Sequence, residues 1–172
     1  TERGYVPEFV LRWFIRRFSL SRLVEADSDK SKELVINGLK TGPIAENTLD
    51  ANDQHYEVPA NYFKSVLGPR LKYSCCWFDN NQSTLEEAEI KMMELYIKRA
   101  KIEDGQTILD LGCGWGSLTL FLAERFPNSV IYSVSNSNDQ IKFIQEKSKN
   151  MGFSHVHALV QDVNSLDLPT MF

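Results

Sequence analysis

The chain has 172 residues, 42% of them hydrophobic and 24% charged, the composition of a folded globular protein rather than of a disordered one. Its formal net charge of -4 gives no global attraction to nucleic acid, so no nucleic-acid partner is expected.

The first residue is Thr1 rather than Met, which reads as a processed chain or a piece of something longer. Val6, Phe9, Val10, Trp13, Phe14 and Phe18 recur near helical spacing with arginines between them, predicting an amphipathic helix of about four turns. Such a helix either packs on the main domain or makes peripheral contact with a membrane surface through its aromatic face. Arg12, Arg16, Arg17 and Arg22 interrupt the apolar stretch from Val6 to Leu23, so neither a secretory signal nor a bilayer span is expected there. A second helix is predicted over Asp27 to Leu39, with Ser28 or Asp29 as cap, Leu34, Val35 and Leu39 on its inner face, and Gly42-Pro43 as its stop. From Thr48 to Phe78 the chain is turn-rich, with a short helix from about Pro59 to Leu67 halted by Gly68-Pro69, and reads as a lid or connection. Ser83 or Thr84, followed by Glu86 and Glu87, forms a capping-box signature for a helix reaching about Ala100.

After Asp104-Gly105 strands and helices alternate: Thr107 to Leu111, Ser117 to Arg125, Val130 to Val134, Asn138 to Asn150 and His155 to Val160. This is βαβαβ, one half of a doubly wound α/β sheet, and at Leu168 to Phe172 such a domain would be about to begin a fourth strand. The expected organisation is a helical extension over residues 1–45, a lid with connecting helices over 46–104, and the first half of a ligand-binding sheet domain over 105–172.

Cys75, Cys76 and Cys113 cannot all pair, and adjacent cysteines reach disulfide geometry with difficulty, so a reducing, cytoplasmic setting is expected. No cysteine or histidine spacing suits zinc, and His55, His155 and His157 share no helical face, so no metal is assigned.

The strongest local signal is Asp110-Leu111-Gly112-Cys113-Gly114-Trp115-Gly116, placed where a strand ends and a helix begins. Glycines there allow a tight turn and a close approach to a ligand at the carboxyl edge of the sheet. The plain alternative is a turn with no ligand. A dinucleotide site would carry G-x-G-x-x-G and an acid at the end of the second strand, whereas this chain has G-x-G-x-G followed by Ser135, Asn136, Ser137 and Asn138, with no carboxylate before Asp139.

These residues resemble the S-adenosylmethionine-dependent methyltransferases of the coclaurine N-methyltransferase and cyclopropane-fatty-acid synthase family. The resemblance runs from about Ala45 to the end and rests on His55-Tyr56-Glu57-Val58-Pro59, Lys72 to Phe78, Leu85 to Glu89, Asp110 to Gly116, Ser135-Asn136-Ser137 with Gln140, and Gln161-Asp162. It implies a Rossmann-like class I methyltransferase sheet, present as its first half, with S-adenosylmethionine as cofactor. By resemblance, Gly112, Gly114 and Gly116 pass close to the methionine part of the cofactor while Asp110 orders the loop. Tyr73 and Ser74 close over it from the lid, Ser135, Asn136 and Gln140 hold the ribose, and Asp162 and Val163 hold the adenine. The family's acid/base cluster, of glutamate and histidine, is expected beyond Phe172; His55 and Glu57 lie in the lid, where they either contribute to an acceptor pocket or, as the preferred reading for the histidine, pack, and Cys75 matches a cysteine of the synthases' small-anion site. The activity implied is N-methylation of a small amine, since Cys75-Cys76 and Ser135-Asn136-Ser137 look closer to the coclaurine group. The alternatives are cyclopropane-synthase-like modification of a lipid chain and a non-catalytic cofactor-binding fragment.

Overall fold

The structure, a computed structural model, describes residues 6–26, 29–46, 60–169 and 172. It divides into two compact units, Thr1–Ile44 and Ala45–Phe172.

The first unit contains α1 (Glu8–Ala26) and α2 (Asp29–Thr41). Glu8 at the start of α1 accepts from Arg12 one turn on, an i,i+4 pair favoured by an acidic residue in the first turn. The helix continues two turns past the apolar repeat that announces it, because Ser19 to Ala26 contains neither glycine nor proline to stop it. Leu34, Val35 and Leu39, expected on an inner face of α2, are each more than 60% exposed.

Among the described residues of the second unit, the first helices are α3 (Ala60–Val66) and α4 (Leu85–Ala100). Thr84, rather than Ser83, caps α4: its hydroxyl accepts from the Glu87 amide while the Glu87 carboxylate accepts from the Thr84 amide. That reciprocal bond holds the exposed Glu87 carboxyl below its usual range.

Beyond α4 come β1 (Thr107–Leu111), α5 (Ser117–Arg125), β2 (Val130–Ser135), α6 (Asn138–Met151), β3 (Val156–Val160) and a short 3-10 turn at Val163–Ser165. The three strands form a parallel sheet in the order β1-β2-β3, with Thr107 opposite Val130 and Ile131 opposite Val156. β2 runs one residue beyond its apolar run because Ser135 still pairs with Val160. Leu122 and Ala123 of α5 pack on Ile108 and Ile131, while Ile141 and Ile144 of α6 pack with Ala158 and Cys113. Each fully buried Ile or Leu contributes about 1.5–3 kcal/mol relative to exposure, so these helix faces fix the register of the strand ends.

Candidate cofactor site

Where β1 ends, the Gly112 and Cys113 amides both donate to the Val134 carbonyl of β2, at 2.9 and 3.0 Å, pinning the glycine loop to the central strand. Gly112 (φ 77°) and Gly114 (φ 54°) are left-handed, and a Cβ built on either meets nothing within 4 Å. Both glycines line a cavity of ≈ 610 Å³ over the strand ends. Gly116 is left-handed as well, but its Cβ would stand 2.6 Å from the Ile144 side chain. It closes the α5–α6 packing and is not among the residues that line the cavity.

Asp110 keeps some accessible surface on the cavity but is otherwise surrounded by protein, and burial raises its carboxyl above the ordinary range. Thr119 opposes that shift by donating to Oδ2 at 2.6 Å. The Cys113 thiol is pushed up to about 12, mainly by burial and then by the nearby Asp110. It is therefore not a nucleophile near neutral pH.

At the end of β2, Ser135 Oγ donates to Gln140 Oε1 at 2.7 Å and accepts from the Ser137 amide at 3.1 Å. Ser137 in turn caps α6. Gln140 Oε1 is thereby engaged, which turns its amide NH₂ into the donor available to a ligand. Asn136 lies beside them on the cavity wall. Asp139, the first carboxylate after β2, is exposed on α6 and is not part of that wall. Beyond β3, Gln161 and Val163 complete the far end, and between them Asp162 caps the 3-10 turn by accepting from the Asn164 amide at 2.8 Å.

A second wall comes from residues 71–74, at the centre of the irregular segment 69–78. Leu71 is left-handed (φ 53°), an uncommon state for a branched side chain, and the amides on either side of it donate to one carboxylate. Arg70 N and Lys72 N reach Glu89 Oε2 and Oε1 at 3.1 and 3.0 Å, and Glu89 is fully buried on α4. Gly68 is required beneath them, since a Cβ there would lie 2.5 Å from the same carboxylate. Tyr73 is edge-on to Phe63 of α3, which contacts Trp115 of the glycine loop at 5.0 Å between ring centroids. Trp115 is 2% exposed, and its Nε1 has no hydrogen-bond partner among the described residues.

Of the expected site residues, Tyr73, Ser74, Asp110, Gly112, Gly114, Ser135, Asn136, Gln140 and Val163 line this single cavity, and Gly116 and Asp162 do not. The segment His55 to Pro59 and the alternative α2 cap Ser28 lie outside the described residues. Lys72, Tyr96 and Trp115 also line the cavity without having been anticipated as ligand residues; the G-W-G step was the available signal for the tryptophan. Asn164 was unforeseen too. Its side chain accepts from Ala45 N at 3.0 Å and donates to Ala45 O at 2.9 Å, holding Ala45 on the cavity rim.

The sequence pattern of the mycolic acid cyclopropane synthetase family matches residues 45–170. The chain belongs to this family. It is 39% identical over 178 residues to an (S)-coclaurine N-methyltransferase of Thalictrum flavum subsp. glaucum, covering 99% of this chain and 49% of the relative. A crystal structure of coclaurine N-methyltransferase bound to N-methylheliamine and SAH superposes with a TM-score of 0.85 at 35% identity, covering 96% of this chain and 49% of that one. A mycolic acid cyclopropane synthase complexed with SAH and CTAB gives a TM-score of 0.66 at 25% identity, covering 73% and 44%. The fold is the Rossmann-like methyltransferase fold, and the chain spans about half the length of the relatives it matches. Among the described residues no helix is long and apolar enough to cross a membrane.

Proposed function

We propose that the cavity over the strand ends binds S-adenosylmethionine and that the protein N-methylates a small amine. The observation that carries the first part is the pairing of Gly112 and Gly114, left-handed and open toward the cavity, with a β2 end that presents hydroxyls and amides where a dinucleotide site needs a carboxylate. These residues fit an adenosyl amino acid. Backbone at Gly112 and Gly114 lies against the methionine part, Ser135, Asn136 and Gln140 serve the ribose, and Val163 serves the adenine, with Asp162 shaping that end through the 3-10 turn it caps. Tyr73 and Ser74 cover the site from the lid.

When bound, the cofactor supplies an electrophilic methyl group on its sulfonium. The chain's own part is to hold that group still and dry, which the buried Glu89 does indirectly by fixing the backbone of the covering segment. The small-amine reading is supported by the likeness to N-methyltransferases along nearly the whole chain. Lipid modification remains the second reading, favoured by the family pattern over residues 45–170.

Calorimetric titration with S-adenosylhomocysteine and with NAD tests the cofactor. S-adenosylhomocysteine is expected to bind, and preference for NAD overturns the reading. Incubation with methyl-labelled cofactor, a panel of small amines and unsaturated phospholipid vesicles tests the acceptor, label in the lipid alone favouring the second reading.

A further inference from the structure

Lys72 is the only lysine or arginine among the described residues lining the cavity, and it is 7% exposed. A cation is rarely buried so far without an anion. Its ammonium donates to two neutral oxygens, Ser74 Oγ at 2.5 Å and Tyr96 OH at 3.2 Å, and stands 4.9 Å from the centre of the Tyr96 ring. No ion pair of Lys72 occurs among the described residues. Both nearby carboxylates are otherwise engaged: Glu89 by the Arg70 and Lys72 backbone amides, Asp110 by the Thr119 hydroxyl. An ammonium has three donors, so one remains for a ligand.

The cavity runs across the strand ends in the order β1, β2, β3, from Asp110 through Ser135 to Val163. Lys72 belongs to the β1 end, because its partner Tyr96 is on α4 and its charge acts on Asp110 of β1. Adenosine carries no negative charge, and the sulfonium and α-amino groups of the cofactor are cationic. The only anion the ligand offers is its α-carboxylate.

We infer that Lys72 pairs with the α-carboxylate of the cofactor's amino-acid end, with the Ser74 and Tyr96 hydroxyls aiming its ammonium. The pairing rests on the cofactor reading above. Lys72 joins the covering segment to the ligand, since its backbone amide is held by Glu89 while its side chain reaches into the cavity. Ligand charge and lid position are thus set by one residue.

The test is a binding matrix read by calorimetry: the parent chain, Lys72→Met and Tyr96→Phe, each against S-adenosylhomocysteine, its decarboxylated analogue and 5′-methylthioadenosine. Methionine keeps the apolar stem and removes the charge. Lys72→Met is expected to weaken S-adenosylhomocysteine about 10- to 100-fold, the worth of a hydrogen bond to a charged group, and to change 5′-methylthioadenosine less than about 2-fold. Tyr96→Phe is expected to follow the same pattern with a loss of only a few fold. Equal losses for both ligands would make Lys72 a structural lid residue and overturn the pairing, as would unchanged S-adenosylhomocysteine affinity. Should Lys72→Met fail to fold, the parent chain decides: equal affinity for S-adenosylhomocysteine and its decarboxylated analogue overturns the pairing. Binding of none of the three ligands by the parent overturns the cofactor reading, and the pairing with it.

Discussion

The two walls of the cavity are held in place by different physics. The strand-end wall, from Asp110 to Trp115 with Ser135, Asn136 and Gln140, is fixed by backbone: a parallel ladder, two amides on the Val134 carbonyl and glycines in left-handed conformations. The covering wall, residues 71–74, has no ladder, and its irregular backbone is held by the buried side chains Glu89 and Phe63 and by the Lys72 side chain turned inward. A wall built on a ladder tolerates side-chain loss and fails when a Cβ intrudes. A wall built on buried side chains fails when one polar group is removed and its partners are left unsatisfied.

The largest effects should come from the glycines, and they should separate binding from folding. Gly114→Val places a branched side chain in open cavity and is expected to abolish S-adenosylhomocysteine binding while the far-UV circular dichroism stays that of the parent. Gly116→Val instead drives a side chain into Ile144, adding overpacking of about 1–3 kcal/mol to left-handed strain of about 1–2 kcal/mol. Urea denaturation should therefore show a marked loss of stability for Gly116→Val and a smaller one for Gly114→Val, and equal losses would erase the distinction drawn between these two glycines.

Glu89 is the next largest. Glu89→Ala orphans one buried and one partly buried amide beside a left-handed Leu71, at about 1–3 kcal/mol for the buried one and less for the other. Glu89→Gln retains one acceptor oxygen and should lose about half as much. Both variants should also weaken S-adenosylhomocysteine, because the covering segment carries Tyr73 and Ser74; a destabilised Glu89→Ala with parental affinity would mean that the cover contributes nothing to the site.

The strand-end wall was legible in the sequence because local rules fix it. The switch of apolar period after Asp104-Gly105 marks the βαβαβ run, Thr84 and Glu87 mark the start of α4, and glycines at a strand-to-helix step mark a loop that approaches a ligand. Element ends moved by a residue or two, as at Ser135 and Val156, where sheet pairing outweighs side-chain type. Of the covering wall, Tyr73 and Ser74 were announced only by the family resemblance, and the side chains that hold it were not legible. A lysine and a glutamate in sequence are assigned to solvent by default, and only the fold brings Lys72 and Glu89 together inside the unit. Asn164 and Ala45 are 119 residues apart, and no local pattern announces their two hydrogen bonds. Gly116 was grouped with its neighbours because spacing alone cannot tell a glycine that faces a ligand from one that faces Ile144.

Asn164→Ala offers a smaller test of how far side-chain support extends round the rim. It removes two hydrogen bonds to backbone at an exposed site, worth about 0.5–1.5 kcal/mol each at most. Thermal denaturation should show only a small drop in Tm, with hydrogen exchange at Ala45 accelerated. A large drop would mean that the rim is anchored as firmly as the covering wall.

The smallest expected effect lies in the strand-end wall and depends on pH. Burial raises the Asp110 carboxyl above its unfolded value of about 3.9, so the folded state holds this proton more tightly than the unfolded chain does. Its contribution to stability is then fully present below the unfolded pKa and is lost as pH rises through the folded one. Asp110→Asn stays neutral throughout and keeps an oxygen to accept from the Thr119 hydroxyl. Its stability relative to the parent should therefore be near level at pH 4 and become more favourable toward pH 7, measured by urea denaturation in constant salt. The Lys72 charge lowers the Asp110 pKa and so moderates the same loss. In a Lys72→Met background the gain from Asp110→Asn should be larger, because nothing then offsets the buried carboxylate but the Thr119 bond. A gain independent of Lys72 would place the two charges too far apart to interact, and with them the β1 end assigned to the ammonium.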